Sequence, residues 1–154
     1  MKNIRNQGFT LVEVLIVVVI MAVLAAVVIP QFSSTTDDAR KSTTEFNLST
    51  MRSLIQTYRG QHGGNLPVIN GSQNLADVLT SKTKVDGTVD PTSGVYGPYL
   101  LEFPDNSYSA SDVVKIITND PAVAGDVTTG GTGGWLYNQT TGGLWLDRNP
   151  GFDW

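Results

Sequence analysis

One carboxylate stands inside the longest apolar stretch of the sequence. Between Phe9 and Ile29 only Thr10 and Glu13 are polar. A carboxylate within such a segment is energetically costly and usually marks a residue with a partner. The chemistry expected of Glu13 is therefore pairing with a cation. The alternative is a position close enough to the membrane surface to reach water.

The element that must position Glu13 is a transmembrane helix. Residues 9–29 match the roughly 20 residues that cross a bilayer as a helix. Val and Ile favour strands in water, but in lipid the unpaired backbone groups require a helix. Lys2 and Arg5 precede the stretch without an acidic neighbour, which places the short end in the cytoplasm and the rest outside. Pro30 cannot donate a helical hydrogen bond, so we expect a kink there.

The stretch from Gly8 to Glu13 reads Gly-Phe-Thr-Leu-Val-Glu behind a short basic leader. It resembles the N-terminal signal of type IV pilins and of type II secretion pseudopilins. The resemblance implies that a membrane peptidase cleaves between Gly8 and Phe9 and that Phe9 is then N-methylated. It also implies assembly roles for Glu13 and for the helix-bending Pro30. The segments it implies are a leader at 1–8, a transmembrane and polymerisation helix at 9–30, and a periplasmic globular domain at 31–154.

Composition limits the remaining functions. The chain of 154 residues leaves room for one modest soluble domain after the helix. The net charge is −4 and no dense basic patch occurs, so nucleic acid is not an expected partner. There is no cysteine, so an extracytoplasmic domain must be stable without disulfides. Many type IV pilins close a C-terminal loop with a disulfide, and its absence here favours the pseudopilin branch.

The outer domain is predicted to begin with a second helical stretch. After weak helix formers near Pro30, the helix should resume by Asp37 and run to about Arg59. Apolar residues spaced by three or four predict one buried face, formed by Leu48, Met51, Leu54, Ile55 and Tyr58. A short helix is predicted from Asn74, which can act as its cap, to Ser81.

Strands are predicted in the C-terminal third. Residues 113–118 form a short apolar run, and the aromatic runs 135–137 and 144–146 predict a β-hairpin. The Trp and Tyr side chains are expected to bury the sheet against the long helix. The predicted fold class is therefore α+β, with a long N-terminal helix packed against a small C-terminal antiparallel sheet, as in pilins.

Catalytic chemistry has little support in the sequence. His62 is the single histidine and lies in a Gly-rich segment, where a solvated turn residue is the expected role. No Gly-x-Ser-x-Gly elbow, P-loop or dinucleotide fingerprint occurs. The chain is therefore not expected to be an enzyme.

One cofactor is implied by the resemblance alone. Major pseudopilins often hold calcium near the C-terminal sheet, and hard oxygen ligands suit that ion. The matching positions here are Asp147 and Asp153, with carbonyl groups from the turn at 149–151. Solvated carboxylates are the alternative, and no other cofactor is expected.

Among the functions that the resemblance implies, the leading hypothesis is a structural subunit of a type II secretion pseudopilus in the bacterial inner membrane. The partners implied are further copies of the chain, the prepilin peptidase, the inner-membrane assembly platform, minor pseudopilins, and membrane lipid before assembly. One alternative is a type IV pilin for adhesion, twitching or DNA uptake. Another is an extracytoplasmic binding protein on an uncleaved membrane anchor.

Overall fold

The structure, a computed structural model, describes residues 8–149, except for the side chains of residues 29–34. The elements in chain order are α1 (Leu11–Gln61), α2 (Leu75–Thr80), β1 (Val114–Ile116), a 3-10 turn (Ala124–Asp126), β2 (Trp135–Tyr137) and β3 (Leu144–Leu146). The contacts divide the chain into two compact units, the first ending at Ala39 and the second beginning at Arg40. The α+β fold class is confirmed.

The first unit contains the apolar part of α1. Residues Leu11–Val28 form a helical stretch long and apolar enough to cross a membrane. Their side chains are exposed in the single chain; Leu15, for example, is 57% exposed. This confirms the predicted membrane-capable helix. α1 continues through Pro30 to Gln61, so the predicted weak stretch before Asp37 is helical. The predicted kink at Pro30 lies among the residues whose side chains are not described.

The second unit uses the later part of α1 as one wall of its core. Four of the five residues of the predicted apolar face are buried, with at most 2% exposure at Leu48, Met51, Ile55 and Tyr58. The fifth, Leu54, is half-buried. Phe46 lies off this face and is 71% exposed. The spacing of three to four residues therefore predicted the packing face correctly.

The short helix α2 forms for local reasons. The Asn74 side chain accepts a hydrogen bond from the Asp77 backbone N–H at 2.8 Å, and the Asp77 carboxylate accepts from the Asn74 N–H at 2.9 Å. This reciprocal pair is a capping box, which satisfies two otherwise unpaired backbone donors. Leu75, Val78 and Leu79 are fully buried, so the predicted cap and helix are confirmed.

The sheet is mixed, which corrects the predicted antiparallel arrangement. β2 and β3 pair antiparallel as the expected hairpin, but β1 pairs parallel with β2. Parallel neighbours need a crossover connection rather than a tight turn. Residues 117–134, with the 3-10 turn, supply that crossover and return the chain to run beside β1 in the same direction.

Alternation along β2 and β3 divides their side chains between two apolar clusters. One cluster joins Trp135, Tyr137, Leu144 and Leu146 to the buried face of α1. The other contains Leu136 and Trp145 with Ile117 and Ala122. The expectation that the aromatic residues bury the sheet against α1 is therefore correct for Trp135 and Tyr137 and wrong for Trp145.

Candidate functional site

Thr10 and Glu13 form a reciprocal hydrogen-bond network at the start of α1. The Thr10 backbone N–H and hydroxyl both donate to Glu13 Oε2, each at 2.8 Å. The Glu13 backbone N–H donates to Thr10 Oγ1 at 3.2 Å. The Thr10 carbonyl accepts the first helical bond, from the Val14 N–H, at 3.3 Å. Thr10 is thus the N-cap residue, and Glu13 completes a capping box.

This cap matters more in lipid than it would in water. The first N–H groups of any helix lack intrahelical partners, and in hydrocarbon no water replaces them. The box satisfies the N–H groups of Thr10 and Glu13 inside the chain. The Thr-x-x-Glu spacing before an apolar run is itself a helix-start signature. Charge pairing or a position at the membrane surface was predicted for Glu13, and the capping role was missed although this signal was present.

The capping box engages one carboxylate oxygen of Glu13. Among the described residues, no donor reaches Oε1, and the Glu13 side chain is exposed. Glu13 borders a shallow apolar groove of about 290 Å³ formed with Phe9, Val14, Val17 and Val18. Glu13 Oε1 is therefore an acceptor on an apolar helix face, and no described residue covers that face.

The predicted processing site lies ahead of the helix. Gly8 and Phe9 precede α1 in non-helical backbone, and Phe9 is 89% exposed. A Cβ placed on Gly8 would meet nothing within 4 Å. No described residue therefore crowds Gly8, and cleavage between Gly8 and Phe9 stays a prediction. The assembly role predicted for Pro30 concerns a side chain that lies outside the described part of the chain.

Asp147 holds an internal position instead of facing solvent. Its carboxylate is 1% exposed and accepts hydrogen bonds from the Thr128 N–H at 2.7 Å and the Thr128 hydroxyl at 2.6 Å. Gly133 approaches this carboxylate so closely that a Cβ would collide with it. The carboxylate therefore ties the Gly-rich loop that ends at Gly134 to the end of β3.

This geometry does not by itself fit a calcium site. Donors face both oxygens of Asp147, and among residues 8–149 no group of three or more His, Cys, Asp or Glu residues could hold a metal ion. Asp153 lies outside the described residues. Calcium binding by the two aspartates together stays a prediction.

The predicted turn at His62 is present, but the prediction that this residue is solvated is wrong. His62 is 1% exposed, and its ring stacks on the Tyr58 ring with centroids 3.7 Å apart. Its Nδ1 lies 2.9 Å from the Tyr58 carbonyl and its Nε2 lies 3.0 Å from Thr83 Oγ1. Burial, with smaller contributions from Tyr99 and Asp86, raises the pKa of Tyr58 to about 12. His62 therefore joins the end of α1 to the loop at Thr83.

Comparison with known families bears on the N-terminal segment. Residues 3–29 match the family described as the prokaryotic N-terminal methylation motif. Comparisons with curated proteins and with solved structures give no match. The chain therefore carries a type IV pilin-like signal on a helix that is long and apolar enough to span a membrane.

Proposed function

We propose that the chain is a structural subunit of a type II secretion pseudopilus. In this role it polymerises through its N-terminal helix into a filament that helps drive folded proteins across the outer membrane. The observation that carries the proposal is the N-terminal segment itself. It bears the methylation motif and presents a carboxylate, Glu13, on an exposed apolar helix face. The lack of cysteine favours the pseudopilin branch over disulfide-closed pilins.

The partner proposed for Glu13 is an α-amine. Cleavage after Gly8 gives Phe9 a free amine, and methylation leaves that amine basic and cationic at neutral pH. An unpaired ammonium or carboxylate among apolar helices is strongly unfavourable, whereas a hydrogen-bonded pair neutralises both charges. Glu13 Oε1 suits this bond, because the cap uses Oε2 and no donor among residues 8–149 reaches Oε1.

We propose that the amine comes from a neighbouring subunit. Phe9 and Glu13 border the same apolar groove, which is the face that a second helix would cover. Covering it would bury both charged groups together, so the subunits would add in the register that brings Phe9 of one beside Glu13 of the next. A pair within one subunit is the competing arrangement, since the two residues are about one helical turn apart.

The remaining partners follow from this role. The chain would be processed by the prepilin peptidase, held in the inner membrane by residues 9–30, and extracted by an assembly platform as the filament grows. Minor pseudopilins would join the same filament. The domain after residue 30 would face the periplasm. A subunit with these partners and this placement would be a structural protein, not an enzyme.

A complementation experiment tests the function. The gene is deleted from its native host and restored as wild type or as Glu13→Ala, and secreted proteins are measured in the culture medium. The proposal expects that deletion and Glu13→Ala both block secretion while the membrane holds processed subunit. Normal secretion in the deletion strain, with loss of twitching, adhesion or DNA uptake, would instead support a type IV pilin.

A further inference from the structure

A polar groove opens in the outer domain where the end of α1 meets the loops that follow it. Its volume is about 710 Å³, which lies within the usual range for sites that hold small ligands. Tyr58 and Arg59 of α1, residues 86–88 of the following loop and residues 139–140 of the hairpin all contribute to its lining. We call this cavity the Tyr58 groove. Most of its lining side chains are polar, so a ligand must be recognised there by hydrogen bonds.

The Tyr58 hydroxyl has no hydrogen-bond partner among the described residues, although Tyr58 is only 1% exposed. The ring is held by stacking on His62 and by Tyr99, whose ring centroid lies 5.7 Å away. A Cβ on Gly87 would lie 2.6 Å from the hydroxyl oxygen, which places that oxygen beside a residue of the groove wall. Among the described side chains, the polar atom that lacks both accessible surface and a partner is Thr44 Oγ1. The Tyr58 hydroxyl therefore keeps accessible surface at the groove.

The groove wall offers further donors. Gln139 Oε1 accepts a hydrogen bond from the Ile69 N–H at 3.2 Å, while the Gln139 amide N–H groups donate to no described residue. The Arg59 Nε–H donates to the Gly64 carbonyl at 3.3 Å, and the Arg59 Nη groups likewise have no described acceptor. Buried polar groups in proteins nearly always have a hydrogen-bond partner. The unused donors of Tyr58, Gln139 and Arg59 therefore suit a ligand that supplies several acceptors.

Asp86 places an acceptor near the Tyr58 hydroxyl. The Thr88 N–H donates to Asp86 Oδ1 at 2.9 Å and lowers the pKa of this carboxyl from its usual value, so Asp86 is a carboxylate at neutral pH. Besides burial and Tyr99, the Asp86 charge raises the pKa of Tyr58, so the carboxylate lies close to the phenol. A ligand group between them must accept from Tyr58 and donate to Asp86. A hydroxyl does both, whereas a carboxylate only accepts and an ammonium only donates.

We infer that the Tyr58 groove binds a neutral saccharide, with one sugar hydroxyl bridging the Tyr58 hydroxyl and the Asp86 carboxylate. Other sugar hydroxyls accept from the free N–H groups of Gln139 and Arg59. The charged side chains that line the groove are Arg59 and Asp86, and their opposite charges give no net preference for an anionic or a cationic sugar. This inference concerns the outer domain and does not depend on the pseudopilus role.

The test measures saccharide binding by the full chain in micelles of a zwitterionic detergent, because a glycoside detergent would compete for the groove. The fluorescently labelled chain is applied to an array of neutral, sialylated and sulfated oligosaccharides, and the strongest neutral ligand is then titrated by calorimetry. Tyr58→Phe keeps the stacked ring and removes only the hydroxyl, so it should bind this ligand about tenfold more weakly. Tyr99→Phe, which removes a hydroxyl that donates to Gln61 Oε1 outside the groove, should bind as wild type.

A second variant tests the acceptor side of the bridge. Asp86→Asn keeps the shape of the side chain and an acceptor for the Thr88 N–H, but it offers the sugar an N–H group where the carboxylate accepted. It should also bind about tenfold more weakly, and it carries the comparison if Tyr58→Phe does not fold. The inference is overturned if no neutral saccharide binds at concentrations up to about 1 mM, or if only sialylated or sulfated ligands bind. Wild-type affinity in the folded groove variants would overturn it as well.

Discussion

Trp135 and Trp145 lie on opposite faces of one three-stranded sheet. Trp135 is opposite Leu146 in the β2–β3 register, and Trp145 is opposite Leu136. Since side chains alternate along a strand, Trp135 faces α1 while Trp145 packs with Ile117 on the other side. Both faces of this small sheet are therefore apolar and covered.

Replacing either tryptophan by alanine should destabilise the outer domain. We expect Trp135→Ala and Trp145→Ala each to lower the free energy of unfolding by about 3–5 kcal/mol, since each opens a large cavity. Trp135 also donates from Nε1 to the Pro104 carbonyl at 2.9 Å. Trp135→Ala should therefore lower the free energy of unfolding at least as much as Trp145→Ala. The measurement is urea unfolding of a soluble fragment that begins at residue 33.

The control for the tryptophan variants is an aromatic residue outside the core. Phe46 is 71% exposed, so Phe46→Ala should change the free energy of unfolding by about 0.5 kcal/mol or less. The fragment itself should be soluble and unfold cooperatively. If both tryptophan variants match Phe46→Ala, the core does not lie at this sheet.

Local signals in the sequence predicted most of the elements. Asn74, as a possible cap, predicted the start of α2. The aromatic runs on either side of a Gly-containing loop predicted the hairpin. The Thr-x-x-Glu spacing of Thr10 and Glu13 is an equally local signal of the helix start, since a capping box depends only on residues one turn apart, but it was not used in the prediction.

Contacts between residues far apart in the sequence had no local signal that could predict them. Arg52 meets the Leu144 carbonyl across 92 residues, and Thr128 meets Asp147 across 19. The exposure of His62 was misjudged because its glycine neighbours indicated a solvated turn, whereas Thr83, 21 residues further along the chain, contacts its ring. The parallel pairing of β1 was not predictable either, because a crossover leaves no periodic pattern.

Acid should destabilise the outer domain through Asp90. The Lys84 ammonium, with the backbone N–H groups of Ser93 and Thr92, lowers the pKa of Asp90 to about 2. A pKa depressed in the folded state gives stability that is present above the unfolded pKa and lost as pH falls through the folded one. We therefore expect this part of the stability to disappear between about pH 4 and pH 2.

Variants of Asp90 and Lys84 test this dependence of stability on pH. Asp90→Asn should be less stable than wild type at neutral pH and should lose less stability between about pH 4 and pH 2, measured by urea unfolding at several pH values. Lys84→Met should remove part of the same dependence, because the two side chains meet at 2.8 Å. An acid profile of Asp90→Asn with the wild-type slope would contradict this role.

Asp147 provides a test of the calcium question. Asp147→Ala removes the charged acceptor of the half-buried Thr128 donors, so we expect a loss of about 1–3 kcal/mol in the free energy of unfolding. Because the Thr128 bonds need no metal, this loss should be equal in calcium and in EDTA. A loss seen only in calcium, and reproduced by Asp153→Asn, would instead indicate a calcium site.

Processing should occur between Gly8 and Phe9. Sites such as the Ala25-Ala26 pair lie inside the apolar helix, where ordinary secretory cleavage would destroy the anchor. Mass analysis of protein from the native host should show a chain that begins at Phe9 and carries one added methyl group. Gly8→Leu should remain uncleaved, whereas Gln7→Ala should be processed normally. A mature chain that starts after Ala26 would contradict the prediction.

The two roles of Glu13 can be separated by comparing it with its capping partner. Thr10→Val keeps the carboxylate and removes only the hydroxyl, at a cost of about 1 kcal/mol in helix stability. Glu13→Gln keeps the shape and an acceptor but removes the charge. If Glu13 serves only the cap, Glu13→Gln should assemble at least as well as Thr10→Val, because the amide oxygen can still accept from Thr10. If it pairs with the amine of Phe9, Glu13→Gln should assemble less well than Thr10→Val.

The most direct measurement of the assembly role is the yield of sheared filaments from Glu13→Ala relative to wild type, at equal amounts of processed subunit in the membrane. The proposed charge pair predicts that Glu13→Ala is cleaved after Gly8 and folds normally, yet yields few or no filaments, with Glu13→Gln intermediate. A wild-type filament yield from Glu13→Ala would contradict the pairing and leave the capping box as the only role of this carboxylate.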